Sequence, residues 1–152
     1  MRTIAATFFV ITLLATGAQA QELTASMGFG NIQTIEVGGS FPLSEQVAVE
    51  PFVTFDFTSR GPALAGLYGA KVRARIPGLT TPDAYAYMTI GGAGLYSSQY
   101  GVEFPFMGSV GMGAHKRLSP RVALRSEAVV LTYLYMPVGL KLQLGVAINL
   151  KP

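Results

Sequence analysis

Three sets of residues in this chain have the types and spacing that chemistry requires. The first is ten ionisable side chains set at alternate positions within small or apolar runs. They are the acids Glu36, Glu50, Asp56, Glu103 and Glu127 and the bases Lys71, Arg73, Arg75, Arg125 and Lys141. Such groups can do acid–base work, or they can neutralise one another in an enclosed space. The second set is His115 and Glu127, which with a serine would make a nucleophilic triad. The third is Gly91-Gly92-Ala93-Gly94, a glycine run that could cradle a phosphate. Metal chemistry has little to work with, because the chain holds one histidine and no cysteine. The lack of thiols also removes thiolate nucleophiles and any disulfide framework.

The elements that position these residues are strands. From Val138 every second residue to Leu150 is apolar, while Gly139, Lys141, Gln143, Gly145, Ala147 and Asn149 fill the other face. That period of two defines a strand with one greasy side, and its length suffices to cross a bilayer when tilted. The same alternation recurs upstream at 23–30, 34–41, 47–57, 64–76, 84–97, 102–115 and 122–132, for eight strands in all. Pro42 to Glu45, Pro77 to Asp83 and Leu118 to Pro120 read as turns at one end. The connections near 58–63, 97–101 and 133–137 lie at the other end and leave little room for extended outer loops. Pro51 predicts a bulge or a strand end. The 84–97 strand carries no charge, so its faces are not assigned.

Residues 1–20 read as a cleaved secretory signal peptide, with Arg2, an apolar run from Ile4 to Ala15 and the cleavage signal Ala18-Gln19-Ala20. The mature domain then spans 21–152. Half of the residues are hydrophobic and 12% are charged, yet no mature segment offers the 18 or so consecutive apolar residues of a spanning helix. That combination fits a transmembrane β-barrel. The net charge of +3 comes without a basic cluster and gives no support for nucleic-acid binding.

The charges orient the strands. The five acids and five bases all sit on polar faces, and the other charges sit at termini or turns, so no apolar face is charged. A membrane barrel is polar inside and apolar outside, the reverse of a soluble barrel of the lipocalin type. Five acids against five bases is the balance an enclosed interior needs. Three-residue loops at 43–45 and 118–120 would set Gly38 opposite Glu50, Gly113 opposite Arg125 and Gly111 opposite Glu127, small residues beside long ones. An eight-stranded barrel filled in this way leaves no wide channel. Tyr133 and Tyr135 at one end and Tyr85 and Tyr87 at the other suit an interfacial girdle, with ordinary strand aromatics as the alternative.

The candidate chemistry then sorts itself. The glycine run lacks a following helix and a Walker lysine, so it reads as glycines in a curved strand. His115 falls near the 118–120 turn and Glu127 well up the barrel, out of the hydrogen-bond reach a triad needs. Arg125 and Glu127 share a face and come close to Lys141 across the strand pair, as members of an interior ionic network.

With Gly111-Met112-Gly113-Ala114-His115-Lys116-Arg117-Leu118-Ser119-Pro120-Arg121 followed by Glu127, the sequence resembles the small outer-membrane β-barrels of Gram-negative bacteria, of the OmpA/OmpX sort. The resemblance covers residues 22 to 150 and rests on patterning. It implies an all-β, eight-stranded antiparallel up-and-down transmembrane barrel in the cell outer membrane. It also implies contact with outer-membrane lipid and lipopolysaccharide, assembly by the barrel-insertion machinery, a monomeric state and no cofactor. Members of that family include structural proteins, host-surface interactors, narrow pores and a few lipid-modifying enzymes. The lipid A deacylase branch has a His-x-Ser-Asn motif, whereas His115 here precedes Lys116, Arg117 and Leu118. Members often end in an aromatic residue read during assembly; this chain ends Leu150-Lys151-Pro152, which implies either less efficient insertion or that Leu150 serves instead. The expectation is a non-enzymatic protein with a structural or surface-interaction role. A lipid-modifying enzyme and a soluble periplasmic ligand-binding barrel stay open.

Overall fold

The computed structural model describes residues 21–30, 33–56, 65–97, 101–133 and 136–150, and gives backbone alone for 56, 65, 95–97, 101–106, 133 and 136–138. The expected leader, the outer connection near 58–63 and Tyr135 lie outside the described residues. The strands are β1 (Glu22–Gly30), β2 (Thr34–Pro42), β3 (Val47–Asp56), β4 (Ala65–Thr80), β5 (Ala84–Ser97), β6 (Gly101–Arg117), β7 (Val122–Tyr133) and β8 (Met136–Asn149). Each pairs antiparallel with the next, and β1 pairs with β8 from Glu22↔Asn149 to Gly30↔Lys141, so the sheet closes into an eight-stranded up-and-down barrel. Closure leaves no strand edge with unpaired backbone groups, which is what a sheet in lipid must achieve.

Two of the turns share one construction. Leu43 N and Ser44 N both donate to Val47 O, and Ser44 Oγ accepts from Gln46 N and Val47 N. Leu118 N and Ser119 N likewise donate to Val122 O, and Ser119 Oγ accepts from Arg121 N and Val122 N. The common sequence is Leu-Ser-x-x-Val, with the serine hydroxyl satisfying the turn's own N–H groups. The last paired positions are Pro42↔Ala48 and Arg117↔Ala123, so the loops are longer than the three residues expected and the register moves by two. Gly38 therefore faces Phe52 rather than Glu50. Gly113 faces Glu127 rather than Arg125, and Gly111 faces Val129 rather than Glu127. A shift of two keeps every side chain on its expected face.

Two further expectations are corrected. The Pro77–Asp83 turn is shorter: β4 runs on to Thr80, and the register slips between Arg75↔Tyr87 and Thr80↔Tyr85. Gly78 takes a φ of 82° within that irregularity, a conformation glycine adopts without penalty. Thr81 and Ala84 then close a tight turn through backbone and hydroxyl bonds. Pro51 neither ends β3 nor shifts it. The β2–β3 ladder is interrupted between Gly38↔Phe52 and Phe41↔Val49, where proline has no N–H to give, and resumes in the same register.

The faces sort by polarity, with the polar one inside. On β7, Ala123, Arg125, Glu127 and Val129 are buried while Val122, Leu124 and Val130 are exposed. On β8, Lys141, Gln143 and Ala147 are buried while Leu140, Leu142, Leu144, Val146 and Ile148 are exposed. The chargeless β5 turns Tyr85, Tyr87 and Thr89 inward and Met88 and Ile90 outward. Tyr85 and Tyr87 are thus interior rings and not part of a girdle. They share their parity with Thr89 and Gly91, and Tyr87 occupies the room that Gly113 leaves free. The side chains of Tyr133 and Tyr135 lie outside the described residues. Leu43 and Leu118 in two turns and Leu79 near the end of β4 are also exposed.

Candidate functional site: the ionic interior

Most of the interior's charge pairs join strands that are not ladder neighbours. Arg125 on β7 forks onto Glu50 on β3, the diametrically placed strand, with Nη1 to Oε1 at 3.1 Å and Nη2 to Oε2 at 2.9 Å. This bidentate geometry is the strong form of an arginine–carboxylate pair. Arg73 on β4 places Nε 3.2 Å from the same carboxylate and donates from Nη1 to Tyr85 OH at 2.8 Å and from Nη2 to Ser40 Oγ at 3.1 Å. Its Nη2 also lies 3.5 Å from Glu22 Oε2 at the barrel mouth.

A second cluster lies beside the first. Glu36 on β2 accepts from Lys71 Nζ at 2.6 Å, Gln143 Nε2 at 2.8 Å and Lys141 Nζ at 3.5 Å. Lys71 reaches on to Glu127 at 3.4 Å, and Glu127 is also held by the Thr89 hydroxyl. Lys71 additionally sits 5.2 Å over the Phe52 ring. Between the clusters is a cavity of about 20 Å³ lined by Ser26, Glu36, Lys71, Tyr87, Arg125 and Glu127. That is room for one water with several polar partners and too small for an organic ligand.

Of the ten charged residues singled out from the sequence, the structure buries Glu36, Glu50, Lys71, Arg73, Arg125, Glu127 and Lys141. Arg125, Glu127 and Lys141 lie on neighbouring inward positions of β7 and β8, with Glu127 facing Gln143 and Val129 facing Lys141. They do not pair with one another: Arg125 pairs with Glu50, Glu127 with Lys71 and Lys141 with Glu36. Arg75 is exposed at the turn end, its guanidinium 4.2 Å over Tyr85 and with no carboxylate partner among the described residues. The side chains of Asp56 and Glu103 lie outside those described. Among the described side chains three of the expected acids and four of the expected bases are buried, and Glu22, expected to be a mere terminal charge, reaches Arg73 from the mouth.

Sequence reasoning also missed the neutral members. Gln143 shares the parity of Lys141, and Thr89 that of Gly91, both of which could have flagged them. Tyr85 and Tyr87 share the parity of Thr89 and Gly91, but on a strand without charge that parity did not assign the faces. His115 stacks on Tyr85 at 4.6 Å with the planes 13° apart, and among the described residues no hydrogen bond joins it to Glu127 or to a serine.

No protein-family profile matches the sequence, and no curated protein is significantly similar to it. Solved structures do resemble it. The N-terminal β-barrel domain of Pseudomonas aeruginosa OprF is similar at a TM-score of 0.69 and 15% identity, over 84% of this chain and 95% of that one. A de novo designed transmembrane β-barrel gives 0.61 at 18% identity, over 87% and 96%. Neisserial surface protein A gives 0.54 at 11% identity, over 84% and 93%. At such identities the likeness is one of fold. The fold is that of the small outer-membrane β-barrels: closed, eight-stranded, apolar outside and ionic within.

Proposed function

We propose that this protein is a non-enzymatic outer-membrane β-barrel with a structural or surface-interaction role in the cell envelope, its interior plugged by the ionic network. The observation that carries this reading is the inversion of polarity. Leucine, isoleucine, valine, methionine and phenylalanine are exposed around the wall, while glutamate, lysine, arginine and glutamine are buried. A soluble barrel gains nothing from such an arrangement, because the apolar wall would stay in water and the charges would lose theirs. In lipid both halves of the arrangement are favourable. Among the described residues the void between the two clusters is too small for an organic ligand. The separate engagements of His115 with Tyr85 and Glu127 with Lys71 speak against a triad.

In this reading the belt meets outer-membrane lipid and lipopolysaccharide, the insertion machinery assembles the barrel, and the protein acts as a monomer without a cofactor. Membrane fractionation of a Gram-negative host expressing the full chain, followed by gels with and without boiling, tests it. The expected result is a band in the outer-membrane fraction that migrates faster unheated. Recovery with the soluble periplasmic proteins, at one mobility regardless of heating, would overturn it.

A further inference from the structure

We propose that the turn-end mouth of the barrel is a binding site for a phosphate group, built by Arg75, Arg117 and His115 on a platform made by Tyr85. Three adjacent strands supply the platform. Arg75 of β4 lies 4.2 Å from the Tyr85 ring centre and His115 of β6 stacks on the same ring at 4.6 Å. Beneath them Arg73 fixes the Tyr85 hydroxyl at 2.8 Å, so the ring is held from below.

Charge at this mouth is unequal. Arg75 and His115 share the Tyr85 ring, and Arg117 follows His115 by two residues on β6. Glu50 answers Arg73 and Arg125, and Glu22 reaches only Arg73. Arg75 and Arg117 are left exposed, and no described carboxylate lies within ion-pair distance of either. A second, independent feature points the same way. His115 is 6% exposed, and its Nδ1 is buried with no hydrogen-bond partner. Buried polar atoms left without a partner are rare and mark a missing group. A phosphate answers both deficits: its charge suits two guanidiniums, whose planar forks match phosphate oxygens, and in the Nδ1–H tautomer the imidazole donates to a third oxygen.

The source of that phosphate is either inorganic phosphate or a lipid headgroup, and the test separates them. His115 is the sole histidine, so its imidazole gives a single NMR reporter. The refolded full chain in uncharged micelles is titrated with sodium phosphate, and with sodium chloride at equal ionic strength. It is then placed in phosphatidylcholine bicelles with and without phosphatidylglycerol. A saturable shift with phosphate and not chloride assigns the site to the free anion. A shift that requires phosphatidylglycerol, without response to phosphate, assigns it to lipid. Arg75→Gln with Arg117→Gln should weaken the response about tenfold or more, losing two charge-assisted contacts. Arg117→Gln alone, which disturbs no described contact, should weaken it several-fold. No saturable shift in either medium, an equal shift with chloride, or wild-type affinity in either variant would overturn the proposal.

Discussion

Removing Glu50 should be among the most damaging single changes in this barrel, and its size follows from the geometry. Its carboxylate holds both terminal nitrogens of Arg125 and the Nε of Arg73, and the three side chains are 3%, 9% and 7% exposed. In Glu50→Leu, Arg73 keeps Glu22 at 3.5 Å, but Arg125 keeps no carboxylate among the described residues. A buried charge stranded in this way costs about 3–5 kcal/mol. Arg125→Leu should cost less, because Glu50 retains Arg73. The double variant Glu50→Leu with Arg125→Leu removes the stranded charge and should fall within about 2 kcal/mol of the parent, since apolar replacement of a whole buried pair is often nearly neutral. The two changes are therefore strongly non-additive. Urea titration in lipid vesicles, with folded fraction read from unheated gel mobility, measures all four species. At a slope of about 2 kcal/mol per molar the single Glu50 variant should lose about 2 M of midpoint and the double variant less than about 1 M. A parental midpoint for Glu50→Leu, or additive losses in the double variant, would mean that water reaches the fork and the interior is not closed.

Arginine placed on the wall should read out depth. Leu142→Arg, near the middle of β8 and 55% exposed, should cost about 2–4 kcal/mol in vesicles, whereas Leu43→Arg at a turn should cost about 0–1. Equal, negligible costs in the same urea titration would place the wall in water. The glycines give a packing contrast. An added Cβ at Gly113 would strike the Ser126 carbonyl oxygen and the Tyr87 ring, while one at Gly139 meets nothing within 4 Å. Gly113→Ala should therefore lower stability by about 1–3 kcal/mol, and Gly139→Ala should leave the midpoint unmoved to within about 0.5 kcal/mol. The reverse ranking would show that Tyr87 does not fill the lumen.

What the sequence made legible follows from parity. Wherever a charge stood on a strand, as Lys71 and Arg73 on β4 or Lys141 on β8, alternation alone assigned both faces. On β5 no charge stood, and the only guides were Thr89 and Gly91 against Met88 and Ile90, so two interior tyrosines read equally well as surface rings. The turns misled by two residues because Leu-Ser-x-x-Val closes through backbone bonds and a serine hydroxyl, a local geometry that spacing does not display. The pairing of charges was hidden for a deeper reason. Ladder neighbours can be enumerated from a register, but Arg125 with Glu50 and Lys71 with Glu36 meet only because the sheet closes and brings distant strands to a common axis.

That closure also suggests why the ionic groups sit where they do. On the outer wall a two-residue slip exchanges Leu142 for Leu140 or Leu144, and lipid does not distinguish one leucine from another. The apolar belt therefore selects membrane over water and leaves the register open. Discrimination has to come from elsewhere, and two devices supply it. The serine-capped turns fix the offset locally at β2–β3 and β6–β7. Inside, a slip of two would carry Arg125 off the Glu50 fork and Glu36 away from Gln143 and the two lysines, stranding buried charge on both sides of the lumen. Each such loss is of the order of the 3–5 kcal/mol argued for Glu50, large against the few kcal/mol separating competing registers of an otherwise uniform sheet. The charged interior thus acts as the reader of register, and the uniform exterior can afford to be uniform because of it.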